Sequence, residues 1–304
     1  MMPVGQRGAA LVVAMLVAAI AAAAAVSMST DSLRRLARYE GRRDHARAVS
    51  LAAAALQWSR GVLADDAARG PIDHLGEPWA IPLPPTPIDG GTIEGRILDA
   101  QARLNLNALG GADAASSAAR ARLARLAGRR GVDPLIVATI ADWVDADATP
   151  REGGAEDSAY RDERRLAANA PITRAAEIAF VRGLSAGVVA RLGTDLIALP
   201  ADAPLNVNTA SPDVLAAAIP GLDANALASL AADRIERPFV SIDDLRARVR
   251  SAGAEITDGA GLAVSSRYFL VSVRARQGEA LARGEALVER TDGRPPAIVW
   301  QIVE

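Results

Sequence analysis

The sequence predicts an α+β chain: one very long N-terminal helix, an antiparallel sheet, and a large α-helical insertion that interrupts the sheet. Three observations carry this. Residues 9–26 are apolar and uncharged, and they run without a break into a stretch whose apolar residues keep helical spacing. Strand-like alternation appears near residues 91–107 and again beyond 265. Between these two regions lie alanine-rich segments and repeated helix-start signals. At 304 residues and 50% hydrophobic, the chain is long enough for two or three domains with buried cores. It has no cysteine, which excludes disulfide scaffolds, thiolate metal sites and cysteine nucleophiles. With two histidines only, His45 and His74, histidine-rich metal catalysis is nearly excluded. A net charge of −2 gives no bulk argument for nucleic-acid binding. The basic residues are all arginine, which reads as a compositional bias together with the alanine richness.

Residues 1–8 form a short leader carrying Arg7. Ala9–Val26 follows with no charged residue. At 1.5 Å per residue it is about 27 Å long, close to the ~30 Å hydrocarbon thickness of a bilayer. Three readings fit. One is a secretory signal cut within the alanine run. Another is a plain membrane anchor. The third is a prepilin-type leader cut after Gly8 on the cytoplasmic side, with the apolar segment retained. The third accounts for more. The leader ends in Gln6-Arg7-Gly8 directly against the apolar run, and no polar break follows the run as a signal-peptidase site would supply. Val49, Ala52, Ala53, Leu56 and Leu63 fall on one helix face. The membrane half (9–26) and its amphipathic continuation (27–66) therefore read as one helix of about 55 residues, on the order of 80 Å. His45 and Trp58 are surface and packing residues on it.

Residues 67–111 hold a connector and the first strands. Six prolines from Pro71 to Pro87 exclude helix and central strand, so this part is extended. Gly91–Asp99 alternates around Ile93 and Ile97 and reads as a strand, and Arg103–Asn107 as a second, short one. A first helical subdomain spans 112–203. Ala112–Arg129 is helical. Asp133-Pro134 gives a cap followed by proline and opens a helix through Val144. Thr173 starts another through Arg182, and Ser185 caps a short one. A second helical subdomain spans 204–252. Ser211-Pro212 repeats the cap-then-proline signal, Asp223 begins a helix to Glu236, and Ser241 with Asp244 resembles a capping box opening a helix to Arg250. The tail, 253–304, returns to strands at Ser265–Arg276, Glu285–Arg290 and Ala297–Val303. An Asp292-Gly293 turn completes an antiparallel meander. Leu104-Asn105-Leu106-Asn107 recurs 101 residues later as Leu205-Asn206-Val207-Asn208, and each copy enters a helical block. That suggests duplicated helical subdomains, with the asparagines capping backbone at strand-to-helix corners.

Three patterns bear on chemistry. Gly183-Leu184-Ser185-Ala186-Gly187 matches the G-x-S-x-G of hydrolases, but the motif needs a preceding strand and a later histidine. Here a helix precedes, and both histidines lie upstream. Ser185 is more simply a helix cap. The segment from Asp142 to Asp157 contains Asp142, Asp145, Asp147, Glu152, Glu156 and Asp157 around Gly153-Gly154. Carboxylates spaced this way can wrap a hard cation, and calcium takes six to eight oxygens in irregular geometry. It is not an EF-hand, because Pro150 stands where that loop needs glycine and Arg151 follows it. A solvated acidic loop is the alternative. Pro204–Arg250 looks like a helix-hairpin-helix unit, a form that can hold DNA phosphates. Its hairpin, Pro220-Gly221-Leu222-Asp223, has one glycine and an acid, and the unit carries six acids to five arginines. That balance lacks the basic footprint of backbone binding, so a structural use of the unit is favoured over a membrane-tethered DNA-binding one.

A family resemblance rests on the order of these pieces. A Gly-terminated leader precedes Ala9-Ala10-Leu11. Then come Leu104-Asn105-Leu106-Asn107, Asp142-Trp143-Val144-Asp145-Ala146-Asp147, Gly154-Ala155-Glu156-Asp157 with Tyr160, and Ala167-Ala168-Asn169. Glu177-Ile178, Arg182-Gly183-Leu184 and Asn206-Val207-Asn208-Thr209-Ala210 complete the series. Over nearly the whole chain this resembles the minor pseudopilin K family of the type II secretion system. Counting Ala9 as the first mature residue, the fifth is Val13, where pilins usually carry a glutamate. The K family is similar in lacking that acid. A buried carboxylate is costly unless paired, and a subunit with no neighbour to pair with does better without it. Ala9 itself departs from the bulkier residue common after such cleavage sites. The resemblance implies a pilin-like fold, a place in the inner membrane with the bulk periplasmic, and cutting after Gly8 by prepilin peptidase with N-methylation of Ala9. It further implies a pseudopilus-tip role in protein export, in complex with minor pseudopilins I, J and H. Neither catalysis nor nucleic-acid binding is implied. It also implies calcium, carried onto Asp145, Asp147, Glu156 and Asp157, with Asp142 and Glu152 as secondary candidates.

Overall fold

The computed structural model describes residues 5–256, 261–291 and 293–304. The first four residues of the expected leader and Asp292 of the expected turn lie outside them. Helix α1 (Gly5–Ala67) is a single continuous helix, so the apolar segment and its amphipathic continuation are one element as expected. It includes a span long and apolar enough to cross a membrane once, and none of that span is covered by the rest of the chain. From Ala48 onward the helix is covered. Ala48, Ala52, Leu56 and Leu63, all 0% exposed, are seated on Phe269, Val271, Ala282, Ala286 and Val288. Ala52, Leu56 and Leu63 belong to the face predicted from spacing; Val49 and Ala53 of that prediction are half-buried, and Ala48 joins the buried face instead. Their burial contributes on the order of 1.5–3 kcal/mol for each large side chain.

The sheet beneath α1 has five antiparallel strands. After α1 come β1 (Leu83–Ile88) and β2 (Gly91–Asp99). The chain then leaves through β3 (Leu104–Asn105) into the helical insertion and returns for the rest of the sheet. The insertion contains α2 (Ala114–Arg129), α3 (Ile136–Val144), α4 (Asp157–Tyr160), α5 (Ala186–Leu192), β4 (Leu196–Ile197), β5 (Leu205–Asn206), α6 (Pro212–Ala218), α7 (Ala224–Glu236), α8 (Ile242–Ser251) and β6 (Leu262–Ala263). The meander β7 (Tyr268–Gln277), β8 (Ala280–Glu289) and β9 (Ala297–Val303) closes the chain, in the order β1-β2-β7-β8-β9. Leu98 pairs with Leu270 and Leu270 with Leu287, so the two halves of the sheet join in register across the insertion.

Several expectations shift in detail. The proline-rich connector is not wholly unpaired, because Leu83–Ile88 pairs with β2. It can do so because it lies at the sheet edge, where prolines need not donate to a further strand. The helix expected from Thr173 is a short 3-10 segment, Ala175–Phe180. The strand expected over Arg103–Asn107 shrinks to two residues, and β8 begins five residues before its predicted start. Ser185, Ser211, Asp223 and Ser241 each cap a helix with their side chains, as read from sequence.

The internal repeat is real in three dimensions. Asn107 Oδ1 accepts from Ile172 N at 2.9 Å, and its Nδ2 donates to Ile172 O and Leu199 O. Asn208 Oδ1 accepts from Phe239 N at 2.8 Å, and its Nδ2 donates to Phe239 O and Val264 O. Each asparagine thus fastens an X-Pro-flanked segment, Pro171-Ile172 or Pro238-Phe239, to the entry of its own block. Each block also closes on a two-residue parallel pair, β3 with β4 and β5 with β6.

Candidate metal centre

Helix α3 has a buried apolar face built around Val137, Ile140, Ala141 and Val144. Its last turn carries Asp142, 0% exposed, and its C-cap is Asp145, 7% exposed. Two carboxylates at a helix C-terminus sit where backbone carbonyls already concentrate negative charge, an arrangement that calls for a cation. The following loop returns Glu156, 3% exposed, to the same place at the start of α4. One carboxylate oxygen from each acid lies within 4.8 Å of the others.

The loop's glycines make the return physically possible. Gly153 has φ +77, a conformation that side-chain-bearing residues adopt only with strain. At Gly154 a Cβ would lie 1.8 Å from Asp142 Oδ2, so any larger residue collides with the buried carboxylate. Arg151 closes the near side. Its Nη1 donates to Asp142 Oδ1 at 2.7 Å and to Asp145 Oδ2, and its Nη2 donates to Gly110 O at 2.9 Å. Behind the group, Trp143 and Tyr160 pack ring to ring at 5.2 Å, and the Tyr160 hydroxyl accepts from Arg182 N at 3.1 Å.

One guanidinium does not satisfy three buried acids. Asp145 Oδ1 and both Glu156 carboxylate oxygens are buried without a hydrogen-bond partner. Leaving such groups unpaired costs several kcal/mol unless they are protonated or bind an ion. Burial, followed by the Asp145 and Asp142 charges, pushes the Glu156 carboxyl up to about 7. Burial also raises Asp145, against the opposing pull of Arg151. Oxygen-only ligands with two of them orphaned suit a hard divalent cation.

The expected ligand set divides. Asp142, Asp145 and Glu156 come together. Asp147 is exposed and its Oδ1 accepts from Thr149 N at 2.8 Å, while Asp157 Oδ1 accepts from Ala167 N at 2.9 Å. Glu152 is exposed. Arg151, which the sequence presented only as a departure from an EF-hand, is the group's internal counter-charge. At the other end of the chain, α1 is continuous through Gly8 and Ala9. The G-x-S-x-G serine is the cap of α5, its hydroxyl accepting from Val188 N. In the helix-hairpin-helix region three of the five arginines are engaged internally. Arg234 donates to Val207 O and Ala210 O, Arg246 pairs with Asp243, and Arg248 pairs with Asp244.

Comparison with known proteins gives consistent results. The chain matches the family model described as type II secretion system (T2SS), protein K, over residues 102–201 and again over 205–265. It is 37% identical to the type II secretion system protein K of Pseudomonas aeruginosa, in a match covering 69% of this chain and 65% of that one. It is 30% identical to the protein of the same name from Klebsiella pneumoniae, over 97% of this chain and 95% of that one. Its fold is similar to a chain in the crystal structure of the GspK-GspI-GspJ complex from the enterotoxigenic Escherichia coli type 2 secretion system. The TM-score is 0.74 at 23% identity, covering 88% of this chain and 99% of that one.

Proposed function

Because the chain belongs to the type II secretion system protein K family, the minor pseudopilin K of that system, we propose that it is a non-enzymatic subunit at the tip of the pseudopilus. There it would initiate pseudopilus assembly and so support protein export across the outer membrane. The observation that carries this reading is the division of α1. Its stretch up to Val26 is apolar and uncovered, with Leu11, Val12, Val13 and Leu16 all more than half exposed, and its stretch from Ala48 onward is seated on the sheet. A helix so divided is solvated by lipid, or by the matching helices of sibling subunits, at one end, and serves as the core of a folded head at the other. Val13 puts no carboxylate in the apolar stretch, which suits a subunit with no neighbour above it to pair with.

The partners in this reading are minor pseudopilins I, J and H, and the enzyme that matures the chain is prepilin peptidase. The chain would be held in the inner membrane by α1, with its N-terminus cytoplasmic and its head periplasmic. Cleavage after Gly8 would leave Ala9 as the N-methylated first residue. Calcium would be bound by Asp142, Asp145 and Glu156. Their orphaned oxygens support this assignment, and the ion would supply the positive charge that Arg151 alone does not.

Co-expression with prepilin peptidase followed by mass spectrometry tests the maturation. The expected N-terminus is a methylated Ala9, and the matured chain should copurify with I and J. An N-terminus within Ala21–Ser27, or a chain that never copurifies with pilin-like subunits, contradicts the reading.

A further inference from the structure

The last turn of α1 carries Asp66, 3% exposed, again at a helix C-terminus. Asp73, 1% exposed, and the half-buried Glu77 come back against it from the loop that follows. Each of the three offers a carboxylate oxygen within 4.8 Å of the others. Arg290, just past β8, serves the group: Nη1 donates to Asp66 Oδ2 at 2.7 Å and Nη2 to Asp73 Oδ1. Ser266 N donates to Asp73 Oδ2, while His74 N and Trp79 Nε1 both donate to Glu77 Oε2. Asp66 Oδ1 receives nothing and is buried. Burial, reinforced by the Glu77 charge, pushes Asp66 up to about 6. Three carboxylates around one guanidinium leave two negative charges uncompensated, on elements unrelated to the insertion.

We propose that Asp66, Asp73 and Glu77 bind a second hard divalent cation, anchored by the unpartnered Asp66 Oδ1. An ion of charge +2 brings the group to neutrality with Arg290 in place. An open cleft of about 700 Å³, lined in part by Ser266 and Arg290, lies beside the group, next to two of its hydrogen-bond donors. The bound ion would pin the end of the long helix to the loop leading to the first strand. Through Arg290 it would also tie that end to β8, which packs against the seated stretch of the helix near Ala52 and Leu56.

The test uses full-length protein in detergent, stripped of metal and dialysed against buffered calcium, with bound metal counted by mass spectrometry. Asp145→Asn removes the insertion's proposed ion. In that background one calcium should remain. Adding Asp66→Asn should weaken its binding at least tenfold, and adding Glu77→Gln at least threefold. The Glu77 variant alters a half-buried residue and decides the matter if Asp66→Asn does not fold. Terbium in place of calcium gives a second readout, because Trp79 donates to a proposed ligand and should sensitise its emission. That emission should persist in Asp145→Asn and disappear in Asp145→Asn with Trp79→Phe. An Asp145→Asn protein that retains no calcium, or whose calcium affinity is unchanged by Asp66→Asn and by Glu77→Gln, overturns the proposal.

Discussion

The two halves of the insertion use one fastening and put it to different ends. Asn107 and Asn208 make the same three hydrogen bonds, each gripping the backbone of one distant residue from both sides. In the first copy the gripped residue is 65 positions away, and in the second it is 31. The additional residues of the first copy include the segment from Asp142 to Glu156, with its buried acids. The second copy has no such segment and is bound instead to the sheet. Asn206 Nδ2 donates to Asp99 Oδ2 at 2.9 Å, to Asp73 O and to Ser266 Oγ, whereas its counterpart Asn105 donates to Pro200 O within its own copy. The comparison teaches a division of labour. A clamp that sets the backbone at both ends of a span leaves the span free to lengthen, since loop closure costs little more for each added residue. One copy used that freedom to build a charged pocket, and the other kept the span short and joined the head to the rod.

The largest effects should come from breaking the clamps. Asn107→Ala removes three buried hydrogen bonds and Asn208→Ala two buried and one part-buried, and each orphans its backbone partners. Each should cost about 3–5 kcal/mol in denaturant unfolding. The equivalence of the copies predicts losses within about 1 kcal/mol of each other, and a large inequality would break it. Next comes Gly154→Ala, where the new methyl meets the Asp142 carboxylate. About 2–3 kcal/mol should be lost, together with any thermal stabilisation by calcium through the first copy. A smaller effect separates the second copy. Burial raises the Asp99 carboxyl from 3.8 to about 6, against hydrogen bonds from Ser266 and Thr209. Between those values the folded chain holds a proton that the unfolded chain has released. The contribution of Asp99 to stability is therefore greatest at the acid end of that window and declines as pH rises toward 6. Asp99→Asn should remove a pH-dependent component of order 1 kcal/mol, measured as the difference between variant and wild-type unfolding energies at pH 4 and pH 6.5.

Much of this was legible in the sequence because it is written in local signals. Side-chain caps at Ser185, Ser211, Asp223 and Ser241, and the helical spacing of Ala52, Leu56 and Leu63, act over a few residues and survive into the fold. The matching Leu-Asn motifs pointed to a duplication. What they grip, Ile172 and Phe239, could not be read, because those bonds span tens of residues. The acidic run was visible as a pool of candidates. Selection within it depends on where the loop turns back, which brings in Glu156 and leaves Asp147 bonded to its own turn. Asp66, Asp73 and Glu77 gave no signal as a group. Their spacing is irregular, and the arginine that assembles them lies more than two hundred residues downstream.

Under the proposed calcium assignment, the two copies of one clamp differ in that the first alone would hold an ion within its span. Hydrogen–deuterium exchange of the full-length protein, with calcium and with chelator, tests it most directly. Calcium should slow exchange across residues 142–157 by at least tenfold and leave residues 209–239 unchanged. Unchanged exchange in 142–157, or equal slowing in both spans, would contradict it.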